Sequence, residues 1–301
     1  MELGMVGLGR MGGNMTTRLV RGGHRVVGYS RSQEKVDAVI ASGAEGALTL
    51  PELVHKLRPP RNVWLMVPAG APTEEAIDAL IPLLADGDRI IDGGNSFYKD
   101  SVRRSAKVRA AGRRYLDVGT SGGIWGLKEG YSMMIGGEAD DVAALRPIFQ
   151  TLAPGADEGW GHVGAAGAGH FVKMVHNGIE YGLMQSYAEG FAILKAKGEY
   201  ALDLPAIAEI WRKGSVVRSW LLDLTSDALH HPENLQKIAP YVEDSGEGRW
   251  TVFEAIDLNV PAPVITTSLQ QRIRSREVDP FVEKLLAAMR QEFGGHAVKS
   301  E

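Results

Sequence analysis

Near its start the chain reads Glu2-Leu-Gly-Met-Val-Gly7-Leu8-Gly9-Arg10-Met11-Gly12, and this stretch decides the fold. Leu3 to Val6 is a short apolar run, which predicts a buried strand. A glycine turn follows it directly, and Met11 to Arg21 then carries helical periodicity. A G-x-G-x-x-G pattern alone is a weak signal; between a strand and a helix it gains a mechanism. Gly7 would make the tight turn, Gly9 would let a pyrophosphate approach the backbone, and Gly12 would let the helix pack closely. The anion would then rest on free N–H groups at the start of the helix, with Leu8, Arg10 and Met11 in the same turn.

Cofactor choice is read where the second strand, Arg25 to Tyr29, ends. An NAD-binding chain usually places Asp or Glu there for the ribose 2′-hydroxyl. This chain offers Ser30, Arg31 and Ser32, one cation and two hydroxyls, which suit a 2′-phosphate and favour NADP. Stacking of Arg31 on adenine would keep NAD open. Val67 and Asn95, at the ends of later strands, complete the expected cofactor set.

Outward from that motif, strand and helix alternate. Strands are expected at Asn62 to Val67, Arg89 to Ile91, Tyr115 to Val118 and Tyr131 to Ile135. Helices are expected at Gln33 to Ala41, Thr73 to Leu84 and Phe97 to Ala111. The alternation predicts a parallel sheet with helices on both faces, a Rossmann-type doubly wound α/β domain over residues 1–163. The stretch Gly164-Ala-Ala-Gly-Ala-Gly169 reads as a small-residue hinge. Beyond it, helices are expected at Val172 to Lys195, Leu204 to Arg212, Trp220 to His230, Thr251 to Ile256, Ser268 to Arg276 and Val278 to Phe293. Residues 164–301 therefore read as an all-helical substrate-binding and oligomerisation domain.

Composition sets limits. A hydrophobic share of 44% and a charged share of 23% describe an ordinary soluble globular chain. With 33 Lys and Arg against 37 Asp and Glu, the net charge of −4 argues against nucleic acid as the main partner. It leaves room for an anionic substrate, since a phosphate site needs only local cations. The chain has no cysteine, which removes disulfides, thiolate nucleophiles and Cys-ligated metals. No HExxH or carboxylate cluster implies a metal. The first strand meets its glycine turn too early for a signal peptide, and no run is long enough to span a membrane. A cytoplasmic location is expected.

Three further stretches carry the chemistry. Asp92-Gly-Gly-Asn95-Ser96 and Ser121-Gly122-Gly123 each follow a strand, where ligands bind in doubly wound sheets, and their glycines would let N–H groups approach a carboxylate or hydroxyl. An ordinary glycine-rich turn is the alternative for each. The third stretch is Gly167-Ala-Gly-His-Phe-Val-Lys173-Met-Val-His176-Asn177-Gly-Ile-Glu180-Tyr181. Its Lys173, His176, Asn177, Glu180 and Tyr181 fall at i, i+3, i+4, i+7 and i+8, one stripe on a helix. A solvated polar face would instead carry longer charged side chains without His-Asn and Tyr at fixed offsets.

On these motifs the chain resembles the 6-phosphogluconate dehydrogenases of the β-hydroxyacid dehydrogenase superfamily. The superfamily likeness spans nearly the whole chain, and HFVKMVHNGIEYGLMQ with DGGNS carries the closer one. The resemblance implies Lys173 as general base and Glu180 as general acid. It implies Asn95, Ser121, Gly122, Gly123, His176 and Asn177 as contacts to the substrate's carboxylate and hydroxyls, and Tyr181 as a phosphate contact. Arg272 aligns with a phosphate-binding arginine, although Arg274 and Arg276 compete for that register. Arg290 and His296 match a tail motif that reaches a neighbouring subunit's substrate, which implies a homodimer or homotetramer. By spacing alone Arg290 is equally a cation at a helix C-terminus. Common family members are far longer, and their glycine-loop lysine appears here as Ser245, with Arg249 as the possible substitute.

The implied reaction is oxidative decarboxylation of 6-phosphogluconate to ribulose 5-phosphate and CO2, a step of the pentose phosphate pathway and of gluconate utilisation. A lysine base needs its pKa lowered from about 10 toward roughly 7–8, which burial between two domains would supply. Two rivals stay open. One is a 3-hydroxyacid dehydrogenase for a small unphosphorylated substrate, which would keep Lys173 but need no phosphate cage. The other is a non-catalytic NADP-binding protein, against which the Lys173–Glu180 pair weighs.

Overall fold

The structure, a computed structural model, describes residues 1–294 and 297–299. Two compact units divide inside one helix, the first Met1–Asn177 and the second from Gly178 onward.

In the first unit eight strands form one sheet: β1 Glu2–Val6, β2 Arg25–Tyr29, β3 Glu45–Ala47, β4 Asn62–Leu65, β5 Arg89–Asp92, β6 Arg114–Ser121, β7 Ser132–Gly137 and β8 Trp160–Gly164. Their order is β3-β2-β1-β4-β5-β6-β7-β8. The first six strands are all parallel, in the 3-2-1-4-5-6 order of a Rossmann sheet. β7 departs from the expected parallel sheet, running antiparallel to β6 with Ser121 opposite Ser132. The cause is chain length: residues 122–131 are too few for a helical crossover of a dozen or more residues. β8 then pairs parallel to β7 and closes the sheet edge.

Alternate residues of the central strands serve two cores. Leu3, Met5, Trp64, Ile91, Leu116 and Val118 join Met15, Leu19 and Phe149 on one face. Val6, Val27, Val63, Leu65, Ile90 and Tyr115 join Leu53, Ile77 and Leu80 on the other. Each such side chain contributes about 1.5–3 kcal/mol by leaving water. Both faces are covered, so these strands read as continuous apolar runs.

The stretch expected to be a hinge is instead a packed strand-to-helix turn. Gly164 ends β8, and the helix Ala168–Ala196 starts four residues later. A Cβ on Gly169 would lie 2.5 Å from the carbonyl oxygens of Asp117 and Met134, so only glycine lets this helix start press on β6 and β7.

The second unit is helical, with Leu204–Arg212, Trp220–Leu229, Glu247–Asp257, Pro263–Arg274 and Phe281–Gly294 as its longer helices. Two small cores hold it. Tyr181, Val252 and Leu269 form one, and Phe191, Ala208 and Leu222 the other. No helix among the described residues is long and apolar enough to cross a membrane.

Candidate active site

The glycine motif behaves as its spacing predicts. Gly7, at φ +96°, donates its N–H to the Tyr29 carbonyl at 3.0 Å, and a Cβ there would meet the Met66 carbonyl. A Cβ on Gly12 would lie 2.0 Å from the Gly7 oxygen, so the third glycine sets the helix-to-strand packing. Around Gly9 nothing lies within 4 Å of such a Cβ. The helix Arg10–Arg21 starts with no side-chain cap, which leaves its first N–H groups for an anion.

A groove of about 870 Å³ runs from this turn, lined by Gly7, Leu8, Gly9, Ser30, Arg31, Ser32 and Val67 as expected. Arg10, Met11, Gly12 and Asn95 lie outside its lining. Met11 packs its side chain against the core and Gly12 is buried, while their backbone N–H groups stand at the open helix start. Sequence reasoning missed Lys35, which lines the groove four residues after Arg31. Its signal was available: Gln33–Ala41 is a helix, and Lys35 sits in its first turn beside the strand end. The groove thus fits a dinucleotide, with an open glycine cradle at one end and two cations at the other.

The Asp92 loop is built differently from the expectation of exposed N–H groups. A Cβ on Gly93 would collide with Trp64, and one on Gly94 with the Val67 carbonyl, so both glycines serve close packing. Asp92, fully buried, accepts from Ser96 at 2.9 Å, Tyr115 at 3.1 Å and Arg104 at 3.2 Å. Burial first, then the Asp92 and Asp117 carboxylates, push the Tyr115 hydroxyl well above its ordinary value, which keeps it a donor. Arg104, only 1% exposed, also holds Ser96, Glu74 and the Gly70 carbonyl. Arg103 above all, with Arg104 and Lys107, holds the Glu74 carboxyl far below the usual range despite the opposing cost of burial.

Asn95 adopts φ +51° and spends its amide on a backbone neighbour. Its Nδ2 donates to the Thr120 carbonyl at 3.0 Å, and the Thr120 N–H donates to its Oδ1 at 2.9 Å. The Asp92 loop is thereby tied to the end of β6, where Ser121, Gly122 and Gly123 follow. Gly123 is exposed, with open space around its Cβ position.

Lys173 is 5% exposed and lies against β6, because a Cβ on Gly119 would come 2.3 Å from the Lys173 Cβ. Its Nζ donates to Asn177 Oδ1 and sits 3.4 Å from His176 Nδ1. His176 Nδ1 lies 3.0 Å from the same Asn177 oxygen. In the first unit, then, the structure gathers Lys173, His176 and Asn177 with the β6 end.

In the second unit Glu180 is half-buried and Tyr181 is 4% exposed. The Arg272 guanidinium stacks 3.5 Å from the Tyr181 ring centre and donates to the Glu243 carbonyl at 2.8 Å. Of the three competing arginines, Arg274 pairs with Glu283 and Arg276 lies 3.7 Å from Asp244. Ser245, where the family lysine was expected, lies 3.4 Å from the Tyr181 hydroxyl and donates to Glu247 at 2.5 Å. Arg249, the possible substitute, is held by Asp244 at 2.7 Å. Burial raises the Asp244 carboxyl, but Arg249, the Gly246 N–H and Arg276 outweigh it and leave it below its ordinary value. Arg290 is exposed, and His296 lies outside the described residues.

Residues 2–164 match the model of the NAD binding domain of 6-phosphogluconate dehydrogenase, and residues 169–288 match that of the 6-phosphogluconate dehydrogenase C-terminal domain. The chain belongs to the 6-phosphogluconate dehydrogenase family. It is 45% identical over 299 residues to the NAD(+)-dependent, decarboxylating 6-phosphogluconate dehydrogenase of Haloferax volcanii, covering 99% of this chain and 98% of the relative. It is 39% identical to the decarboxylating 6-phosphogluconate dehydrogenase of Klebsiella pneumoniae over 93% of this chain but only 63% of the relative. Among solved structures, Plasmodium falciparum 6-phosphogluconate dehydrogenase, studied with NADP+ and with 6-phosphogluconate, superposes with a TM-score of 0.85 at 28% identity. That match covers all of this chain and 66% of the Plasmodium one. The chain thus spans nearly all of the Haloferax relative and about two thirds of the Klebsiella and Plasmodium ones.

Proposed function

We propose that the chain oxidises 6-phosphogluconate with NAD(P)+ and decarboxylates the product, yielding ribulose 5-phosphate and CO2. The observation that carries this reading is buried Lys173, set against Gly119 of β6 with Asn177 and His176 beside its Nζ. Full-length identity of 45% to a relative of that name supports it. The nicotinamide, when bound, supplies the hydride acceptor. Neutral Lys173 takes the proton of the substrate's 3-hydroxyl as hydride leaves C3. The carbonyl so formed lies β to the carboxylate and accepts the electron pair released as CO2 departs. Lys173, now an ammonium, hydrogen-bonds that oxygen as charge develops on it. Glu180 then gives its proton to the enediol carbon that bore the carboxylate, C2 of the substrate and C1 of ribulose 5-phosphate. Asn177 and His176 orient the lysine and the substrate hydroxyls, and Arg272 with Tyr181 meets the phosphate.

For the cofactor, Arg31 and Lys35 support NADP, since two cations at one groove end suit a 2′-phosphate. The name of the Haloferax relative keeps NAD in the comparison. We also propose a homodimer or homotetramer in which Arg290 and His296 complete a neighbour's phosphate site. Supporting it, the helix Phe281–Gly294 exposes Phe281, Val282, Leu285, Leu286 and Met289, an apolar stripe at helical spacing.

Steady-state kinetics test the reading. Turnover of 6-phosphogluconate should release one CO2 per reduced cofactor, while hydroxyisobutyrate should not turn over appreciably. Oxidation of hydroxyisobutyrate without CO2 release from 6-phosphogluconate would overturn it in favour of a small-substrate dehydrogenase.

A further inference from the structure

Asp117 is fully buried, and the described residues give its carboxylate no cationic side chain as salt-bridge partner. Its two oxygens go elsewhere. Oδ1 accepts the Gly167 N–H at 2.6 Å and Oδ2 accepts the His170 N–H at 2.8 Å. These donors stand just before and within the first turn of Ala168–Ala196, the 29-residue helix that carries Lys173. In a capping box the equivalent two bonds come from local side chains, a Ser or Thr at the cap and a Glu or Gln three residues on. Here the cap position is Gly167, which has no side chain, and a single carboxylate on a strand fifty residues away supplies both bonds. The positive end of the helix offsets the buried charge.

The placement of Asp117 on β6 gives the cap its meaning. Side chains at i, i+2 and i+4 of a strand share one face. Asp117, Gly119 and Ser121 are such a set: the first holds the helix start, the second touches Lys173, and the third opens the Ser121-Gly122-Gly123 segment. His170 adds a second anchor, its Nδ1 lying 2.7 Å from Ser101 Oγ on the neighbouring helix.

We infer that Asp117 is a positioning residue for Lys173, setting how far the catalytic helix lies along β6 and hence where the lysine meets the substrate. The inference rests on the reading of Lys173 as the base. Asn at this position keeps one acceptor and loses the charge, so the helix start loses one of its two ties.

The test compares Asp117→Asn with the wild type and with Lys173→Met, using melting, cofactor binding by nicotinamide fluorescence, and kcat, KM and the pH profile of kcat. Asp117→Asn should stay folded and bind cofactor as the wild type does. Its kcat should fall about 10²-fold with KM for 6-phosphogluconate changed far less, as a misplaced catalytic group predicts. The acid limb of its kcat profile should move, because the lysine then sits in altered surroundings. Turnover within about twofold of wild type overturns the inference, as does a fall in kcat with an unmoved pH profile. Asp117→Ser, which keeps a short acceptor, is the second variant; if neither folds, the cap is a stability element and the inference fails. An active Lys173→Met overturns the base reading itself, whatever Asp117→Asn does. An inactive Lys173→Met beside a fully active Asp117→Asn removes only the positioning role.

Discussion

Two cations four residues apart line the groove where β2 ends. Arg31 stands just after β2 and Lys35 one helical turn later, both at the groove that begins at Gly9. A charge-assisted hydrogen bond to a phosphate is worth about 1.5–3 kcal/mol. Removing both as Arg31→Ala with Lys35→Ala should therefore raise KM for NADP+ at least about tenfold and leave KM for NAD+ within about threefold. Equal changes for the two cofactors, read from initial rates, would mean that neither residue meets a 2′-phosphate. At this scale the sequence disclosed residues whose chemistry is local. Lys173, His176 and Asn177 lie within five consecutive positions, and a helix of known pitch assembles them without further information. Asp117 was invisible for the opposite reason. It lies in a run that reads as an apolar strand, and its partners follow fifty positions later, where only the fold brings them together.

The same contrast holds among the elements. Apolar strands such as β1, β2 and β4 were legible because both their faces are buried. β3 is only three residues long, and β8 is an edge strand with half-exposed and exposed residues throughout, so neither carries a hydrophobic pattern. The glycine pair after β5 signalled a ligand loop, but the structure shows it making room for Trp64 and Val67, with buried Arg104 and Asp92 clamping the loop from beneath. Glu74 belongs to that clamp, and its depressed carboxyl makes the clamp sensitive to acid. A group whose folded pKa is lowered adds stability above its unfolded value, here 4.5, and loses it progressively as pH falls below that value. Glu74→Gln should thus cost about 2 kcal/mol at pH 7, a drop in melting temperature of roughly 4–8 °C. The gap to wild type should narrow steadily below pH 4.5 in thermal melts across pH. A gap that stays constant down to acid unfolding would remove Glu74 from the clamp.

At the scale of the molecule, the second unit holds two small cores yet shows many large apolar side chains to solvent. Phe281 is 70% exposed and begins the last helix, whose apolar stripe has no cover within the chain's described contacts. Monomeric proteins rarely keep such continuous apolar surface. Phe281→Asp should shift sedimentation from dimer or tetramer toward monomer at micromolar concentration, and KM for 6-phosphogluconate should rise about tenfold or more if a neighbour's Arg290 and His296 hold the phosphate. Unchanged substrate affinity in a monomeric variant would leave the oligomer structural only.

The double hydrogen bond between the Asn95 amide and the Thr120 backbone has a bearing on how this protein could acquire new substrates. Two loops joined in that way explore conformations together, so mutations in one are read out through the other. Because the Thr120 partners are backbone groups, positions 121 to 123 can vary without breaking the tie, whereas position 95 cannot. A laboratory library that keeps Asn95 and randomises 121 to 123 should therefore retain more folded, cofactor-binding variants than one that randomises position 95.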